Sequence, residues 1–106
     1  MNTEEIIELL YTDMPKFGED TGLKDSEGKS IFAGDILEFE YNEFYGLVTA
    51  VVYWDSKKAA FIRAGKFEGG GGFSSLNGEC FSKTIVIGNI FKTPELFRIS
   101  HKRALE

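Results

Sequence analysis

Few residues in this chain are of the types that perform acid–base or nucleophilic chemistry. The only histidine is His101 and the only cysteine is Cys80. A general base must be held by packing and by a hydrogen-bonding partner, and a histidine this close to the end of the chain is a poor candidate. A zinc site takes about four Cys or His ligands, twice what these two supply. We therefore expect no enzyme activity, no metal and no other cofactor.

Four carboxylates bracket two predicted turns. They belong to Asp20, Asp25, Glu27 and Asp35. Hard cations bind where several oxygens gather, although the spacing of these residues matches no calcium loop. Aspartate often accepts hydrogen bonds from the backbone of its own turn, so we favour a role in the turns over a cation site.

The glycine run Gly69–Gly72 invites comparison with a phosphate-binding loop. The run lacks the Gly-Lys-Ser/Thr ending of such loops, and no convincing helix follows it. Four consecutive glycines lose much conformational entropy on ordering. We therefore predict that residues 65–79 form an irregular loop that is mobile around these glycines.

Charge is distributed unevenly along the 106 residues. Residues 1–43 contain twelve acidic residues and three lysines, whereas residues 44–106 contain five acidic and nine basic residues. The net charge of −5 disfavours nucleic-acid binding, because phosphate affinity comes mainly from cationic side chains. The basic second half keeps that function as an alternative, through Arg63, Lys66, Lys83 and Lys92, together with Lys102 and Arg103.

The elements that must position these residues begin with a predicted amphipathic helix over residues 1–15. Ile6, Leu9 and Leu10 recur at helical spacing, and Thr3 can cap the first turn. Pro15 marks its end. Such a helix either covers its own core or docks another subunit.

Strand patterns dominate the rest of the chain. Residues 36–41 alternate between apolar and acidic side chains, which predicts a half-buried strand. Residues 47–54 are apolar on both faces, which predicts a central strand. Residues 59–62 and 80–88 are predicted strands too, and Phe44 and Tyr45 lie in the loop at 42–46. These two aromatics either contact a partner or close one end of the sheet.

We predict one domain over residues 1–106, with a helix at 1–15, a β core at 16–97 and a tail at 98–106. The class is mainly β (α+β), a small curled sheet or barrel of about five strands with an N-terminal helix. The sequence shows no signal peptide and no run of about 18 apolar residues, so we expect a soluble cytoplasmic protein.

Two segments carry a family resemblance. The first is residues 21–37, and the second is residues 86–91 followed by Pro94-Glu95-Leu96. Together and in this order they resemble the YopX-like family, small proteins found largely in phages and prophages. The resemblance implies an SH3-like β-barrel, a phage or prophage origin, self-assembly, and no catalytic residues.

The glycines of these two segments have a physical interpretation. Gly22, Gly28 and Gly34 recur every six residues, which predicts turns that need positive φ. Gly88 interrupts a strand pattern, which predicts a β-bulge or a close crossing.

Two functions remain at this point. The first is a non-enzymatic protein-binding or self-assembly module of a phage or prophage, acting in the bacterial cytoplasm through Ile6, Leu9, Leu10, Phe44 and Tyr45. The alternative is a nucleic-acid-binding barrel that uses the basic second half. Salt separates them, because phosphate contacts weaken steeply with salt and apolar contacts do not.

Overall fold

A computed structural model describes residues 18–55, 57–68, 70–75 and 83–101, and at 70–75 it describes the backbone alone. In these ranges it contains eight strands and one 3₁₀ helix at Pro94–Leu96. The strands are β1 (Asp20–Lys24), β2 (Ser30–Phe32), β3 (Asp35–Asn42), β4 (Gly46–Asp55), β5 (Ala60–Phe67), β6 (Gly70–Ser75), β7 (Ile85–Asn89) and β8 (Ile99–Ser100). The predicted helix at 1–15 and the tail after His101 lie outside the described residues.

Five strands form one curled sheet in the spatial order β6-β5-β4-β3-β7, all antiparallel to their neighbours. The sheet curls into a half-barrel, and β1 and β2 form a separate two-stranded hairpin. The predicted class, a mainly β fold built on a small curled sheet of five strands, is confirmed.

β4 is the central strand, as its sequence predicts. It pairs with β3 on one side and with β5 on the other, and six consecutive residues, 48–53, are buried. Side chains alternate between the two faces of a strand, so an apolar strand of this kind needs cover on both faces. The sheet accordingly has a hydrophobic core on each side.

The first core lies on the face that carries Val51 and Tyr53. Residues after β7 cover this face, chiefly Ile90 and Phe97. The second core lies on the opposite face, where Leu37 and Phe39 pack with β4. Its cover comes from the β1–β2 hairpin through the fully buried Ile31. Each cover segment buries apolar area that β4 alone would leave in water.

β7 contains a β-bulge. Ile36 is opposite Gly88 and the next residue, Leu37, is opposite Val86, so Ile87 is the extra residue. A Cβ on Gly88 would lie 2.8 Å from Leu96 Cδ1 and closer still to Thr93 Oγ1. Both predicted roles of this glycine, a bulge and a close crossing, are confirmed.

β8 fills a gap between β4 and β5. The β4–β5 ladder ends at the pair Ala50 and Gly65, and beyond it β8 runs parallel to the end of β5. The Thr49 hydroxyl binds both backbone groups of Arg98, accepting from its N–H at 3.1 Å and donating to its carbonyl at 3.2 Å. Polar groups that the separated strands would otherwise leave unpaired are thus satisfied.

Several strand boundaries differ from the predictions. Residues 20–24 are a strand, although Gly22 predicts a turn there, because β2 supplies a pairing partner. The predicted mobile glycine loop is wrong for Gly70–Gly72, which pair with the end of β5. Backbone ladder bonds to a neighbouring strand outweigh the low strand propensity of glycine. β5 also runs to Phe67, five residues beyond its predicted end.

Replacement of Gly88 by alanine should destabilise the fold, because the new methyl group overlaps the Thr93 side chain. Overpacking of this kind lowers the free energy of unfolding by about 1–3 kcal/mol. Urea unfolding of Gly88→Ala measures the loss as a lower transition midpoint. The double variant Gly88→Ala/Thr93→Ala should lose less than the two single losses combined. Wild-type stability of Gly88→Ala would contradict the close crossing.

Candidate functional site

The turn between β3 and β4 is held rigidly by one side chain. Asn42 Oδ1 accepts hydrogen bonds from the backbone N–H groups of Phe44 and Tyr45, each at 2.9 Å. Gly46 then adopts φ +65, a conformation that glycine takes without strain. We call residues 40–47 the hairpin tip. These bonds fix the backbone conformation of the turn from within the chain.

Three aromatic rings pack together beside this turn. The Tyr45 ring centroid lies 5.0 Å from that of Phe67 and 6.0 Å from that of Tyr41, in edge-to-face geometry. Tyr41 and Phe67 are 5.1 Å apart. Edge-to-face pairs place the positive edge of one ring on the negative face of another. The cluster joins the hairpin tip to the second core, against which Tyr45 and Phe67 pack.

The hairpin tip nevertheless exposes large apolar side chains. Tyr41 is 54% exposed, Leu47 is 55% exposed and Phe44 is 37% exposed. Of the two aromatics predicted here, Phe44 faces solvent and Tyr45 is half-buried in the ring cluster. The sequence does not predict the exposure of Tyr41 and Leu47. Alternation places each residue on a face of the sheet that is buried further along the strand.

The charged residues of the β3–β4 hairpin are all acidic. Glu40 and Glu43 are exposed, and neither lysine nor arginine occurs between Lys29 and Lys57. Glu38, further from the tip, pairs with Arg98 at 3.4 Å. Leu47 is opposite Glu40 and projects from the face opposite to Tyr41, so the exposed apolar side chains lie on both faces of the hairpin end. Exposed apolar side chains close to charges of one sign are typical of an interaction surface.

The other predicted interface residues, Ile6, Leu9 and Leu10, lie outside the described residues. Two of the predicted nucleic-acid contacts, Arg63 and Lys66, do not share a surface. Arg63 and Lys66 are three residues apart on β5, so their side chains project from opposite faces of the sheet.

The environments of the basic residues differ as well. The Arg63 guanidinium carbon lies 4.1 Å from the centre of the Phe39 ring, in the second core. Lys92 is exposed and its charge acts on the nearby Asp35 carboxylate, whereas Lys83 is an exposed turn residue. Lys102 and Arg103 lie beyond the described ranges.

An open depression of about 450 Å³ lies beside β8. Its lining is Lys66, Phe97, Arg98, Ile99 and His101. Arg98 pairs with Glu38, and the Nδ1 atom of His101 lies 3.3 Å from a carboxylate oxygen of Glu68. Acidic neighbours thus face two of the three basic side chains, and the only histidine of the chain lies beside an exposed carboxylate.

The Asp25 carboxylate organises the turn between β1 and β2. Its Oδ1 accepts from the N–H groups of Glu27 and Lys29, each at 2.9 Å, and its Oδ2 accepts from Val86 N–H of β7 at 3.0 Å. The Ser26 N–H also donates to the Thr84 carbonyl at 2.8 Å. The predicted turn role of this aspartate is confirmed, and the same carboxylate attaches the hairpin to the sheet.

These contacts perturb the acidity of two buried carboxyls in opposite directions. Burial raises the pKa of Asp25. The opposite effect is larger: the carboxylate is stabilised by N–H donors from Val86, Lys29 and Glu27 and by the charge of Lys29, so the pKa is lowered overall. Burial dominates at Asp35, and it keeps the pKa of that carboxyl above its usual range despite the hydrogen bond from Phe32 N–H at 2.8 Å.

The ranges described above contain neither a metal-binding cluster nor a membrane-spanning helix. No three His, Cys, Asp or Glu side chains there lie close enough together to hold a metal ion. No helix in those ranges has the length and apolarity needed to cross a membrane.

The fold and the hairpin tip define a class: a small, mainly β domain on a curled half-barrel sheet, with an exposed apolar turn. The sequence model of the family described as YopX protein matches residues 2–98, which is most of the chain. The chain therefore belongs to the YopX protein family, as the two glycine-containing segments predict. A search of curated proteins finds no match.

Replacement of Asp25 by asparagine should destabilise the protein. The amide has only one oxygen to accept hydrogen bonds where the carboxylate has two, and its NH2 group would face a backbone N–H donor. Loss of one charge-assisted bond alone lowers the free energy of unfolding by about 2 kcal/mol. Denaturant unfolding measures this, with Asp20→Asn as the control, since Asp20 is exposed and accepts one bond, from Gly22 N–H.

The same pair of variants gives a test in acid. The folded-state pKa of Asp25 is lowered, so the unfolded chain binds its proton first as the pH falls. The stability that Asp25 contributes is thus present above the unfolded pKa and is lost as the pH falls through the folded pKa. Asp25→Asn should lack this loss. Equal acid sensitivity of wild type and Asp25→Asn would contradict the assigned network.

Proposed function

We propose that this chain is a non-enzymatic protein-binding or self-assembly module, and that the hairpin tip is its contact surface. It acts as a phage- or prophage-encoded protein in the cytoplasm of the bacterial host. The origin and location rest on the resemblance of residues 21–37 and 86–96 to the YopX-like family.

One observation carries this proposal: the concentration of exposed apolar side chains at the hairpin tip. Six large apolar side chains are exposed in the described part of the chain, and three of them, Tyr41, Phe44 and Leu47, lie within seven residues. Aromatic side chains with large contact areas dominate the binding energy of protein interfaces.

The order of the turn adds to this support. The bonds from Phe44 and Tyr45 to Asn42 and the packing of Tyr45 on Phe67 fix the backbone of the tip. A surface that is already ordered loses less conformational entropy when it binds, so more of the contact energy appears as affinity. The hairpin tip meets this condition without a partner.

The nucleic-acid alternative has weaker support. A phosphate backbone needs several cationic side chains on one surface, whereas Arg63 and Lys66 project from opposite faces and Arg63 stacks on Phe39. The exposed carboxylates of Glu40 and Glu43 would repel phosphates from the hairpin tip.

A photo-crosslinking side chain at position 44 tests the proposal in the phage-bearing host. We expect Phe44→benzoylphenylalanine to form an adduct with one defined protein, either another protein or a second copy, identified by mass spectrometry. The matched control carries the same group in place of Leu96, which is also 37% exposed and lies in the 3₁₀ helix.

The outcomes separate the candidates. Adducts from position 44 that are absent from position 96 support the hairpin tip as a contact surface. No adduct, or the same adducts from both positions, would overturn the proposal. An adduct that nuclease removes would favour the nucleic-acid alternative.

A further inference from the structure

We infer that the partner of the hairpin tip is a polypeptide segment of a different protein that combines apolar side chains with lysine or arginine. This inference rests on the proposed function and names the chemistry of the partner. It also implies that the tip of one copy does not pair symmetrically with the tip of a second copy.

The charge of the tip is the first step. Glu40 is exposed near the end of β3, and Glu43 is exposed in the turn that follows β3, close in sequence to the exposed apolar groups. Complementary charge steers a partner to a surface and sets its orientation there. The negative charge of the tip attracts a segment with cationic side chains and repels an acidic segment.

Two described cations on neighbouring elements, Arg98 and Lys66, do not neutralise this surface. Arg98 is committed to Glu38, with its guanidinium 3.4 Å from the carboxylate. Lys66 alternates with Phe67 along β5, so it projects from the face opposite to the ring cluster. Among the residues that the structure describes, no ion pair engages the carboxylate of Glu40 or Glu43.

The aromatic rings favour the same kind of partner. Ammonium and guanidinium groups bind over the faces of aromatic rings, which carry negative charge density. The protein already makes such a contact internally, with Arg63 over Phe39 at 4.1 Å. Tyr41 and Phe44 offer further rings at the surface, and each is adjacent in sequence to an exposed glutamate, Glu40 or Glu43.

This charge pattern opposes a symmetric contact between two copies. A two-fold interface places each patch against its own copy, so the residues of one tip meet the residues of the other. Two hairpin tips in contact would bring Glu40 and Glu43 close to the same carboxylates of the second copy. Like charges at an interface oppose binding, and the hairpin has no cation of its own to separate them.

Titration of the full chain with two synthetic peptides tests the inference. One is a short peptide of lysine and leucine, and the other has glutamate in place of each lysine. Chemical-shift changes of the Phe44, Tyr45 and Gly46 amides report binding at the hairpin tip. We expect the lysine peptide to shift these amides, and the glutamate peptide to leave them unchanged.

A pair of charge-matched variants separates local from overall charge. Glu40→Lys/Glu43→Lys should weaken binding of the lysine peptide by about tenfold or more. Glu27→Lys/Glu95→Lys changes the net charge equally at exposed positions outside the tip, and it should bind like wild type. Glu40→Gln/Glu43→Gln gives the same test without added cations, should the lysine variant fold poorly.

Three results would overturn the inference. The first is an equal loss of lysine-peptide binding in both charge-matched variants. The second is binding of the glutamate peptide at the hairpin tip, and the third is amide chemical-shift changes confined to residues outside the tip. The crosslinking at position 44 distinguishes the two levels. If position 44 forms defined protein adducts but the chain shows no preference for the lysine peptide, only the inference of a basic partner is refuted and the proposed function stands. Absence of those adducts would refute the proposed function itself.

Discussion

The whole fold depends on β4, a strand whose side chains are apolar on both faces. Val51 and Val52 point in opposite directions and both are fully buried. A strand of this kind is stable only when both faces are covered, since burial of apolar area is the main favourable contribution to folding. The chain meets this requirement with two segments from opposite ends of the described region. The β1–β2 hairpin covers one face, and the residues from Ile90 to Phe97 cover the other.

The contacts that hold these covers in place also explain how the hairpin tip is presented. Asp25 joins the β1–β2 turn to β7, and Thr49 joins β4 to the chain before β8. The first bond is made at the edge strand β7 and the second at the central strand β4, and beyond Phe39 and Val48 the strands β3 and β4 continue as a two-stranded arm. The rings of Tyr45 and Phe67 support the end of that arm, while Asn42 orders its turn. An exposed apolar surface on a rigid support is a common basis for protein recognition.

Much of this architecture follows from local patterns in the sequence. The two-faced β4, the bulge at Gly88 and the turn role of Asp25 were predictable, because each depends on side-chain periodicity or on the chemistry of one residue. β1 and the strand at Gly70–Gly72 were not, because their order comes from pairing with strands distant in sequence. At the candidate site, Phe44 and Tyr45 were predicted from their place in a loop. The exposure of Tyr41 and Leu47 was not, because alternation assigns a face to a residue but does not show where the cover of that face ends.

The most direct test of the central role of β4 is amide hydrogen exchange, residue by residue. If both cores depend on this strand, the amides of Val51 and Val52 should exchange only through global unfolding. Their exchange free energy should then equal the free energy of unfolding from denaturant. Amides of β1 and β8, which lie at the margins, should exchange through smaller openings. Exchange of Val51 and Val52 at a free energy well below the global value, or faster than that of β1, would contradict the account.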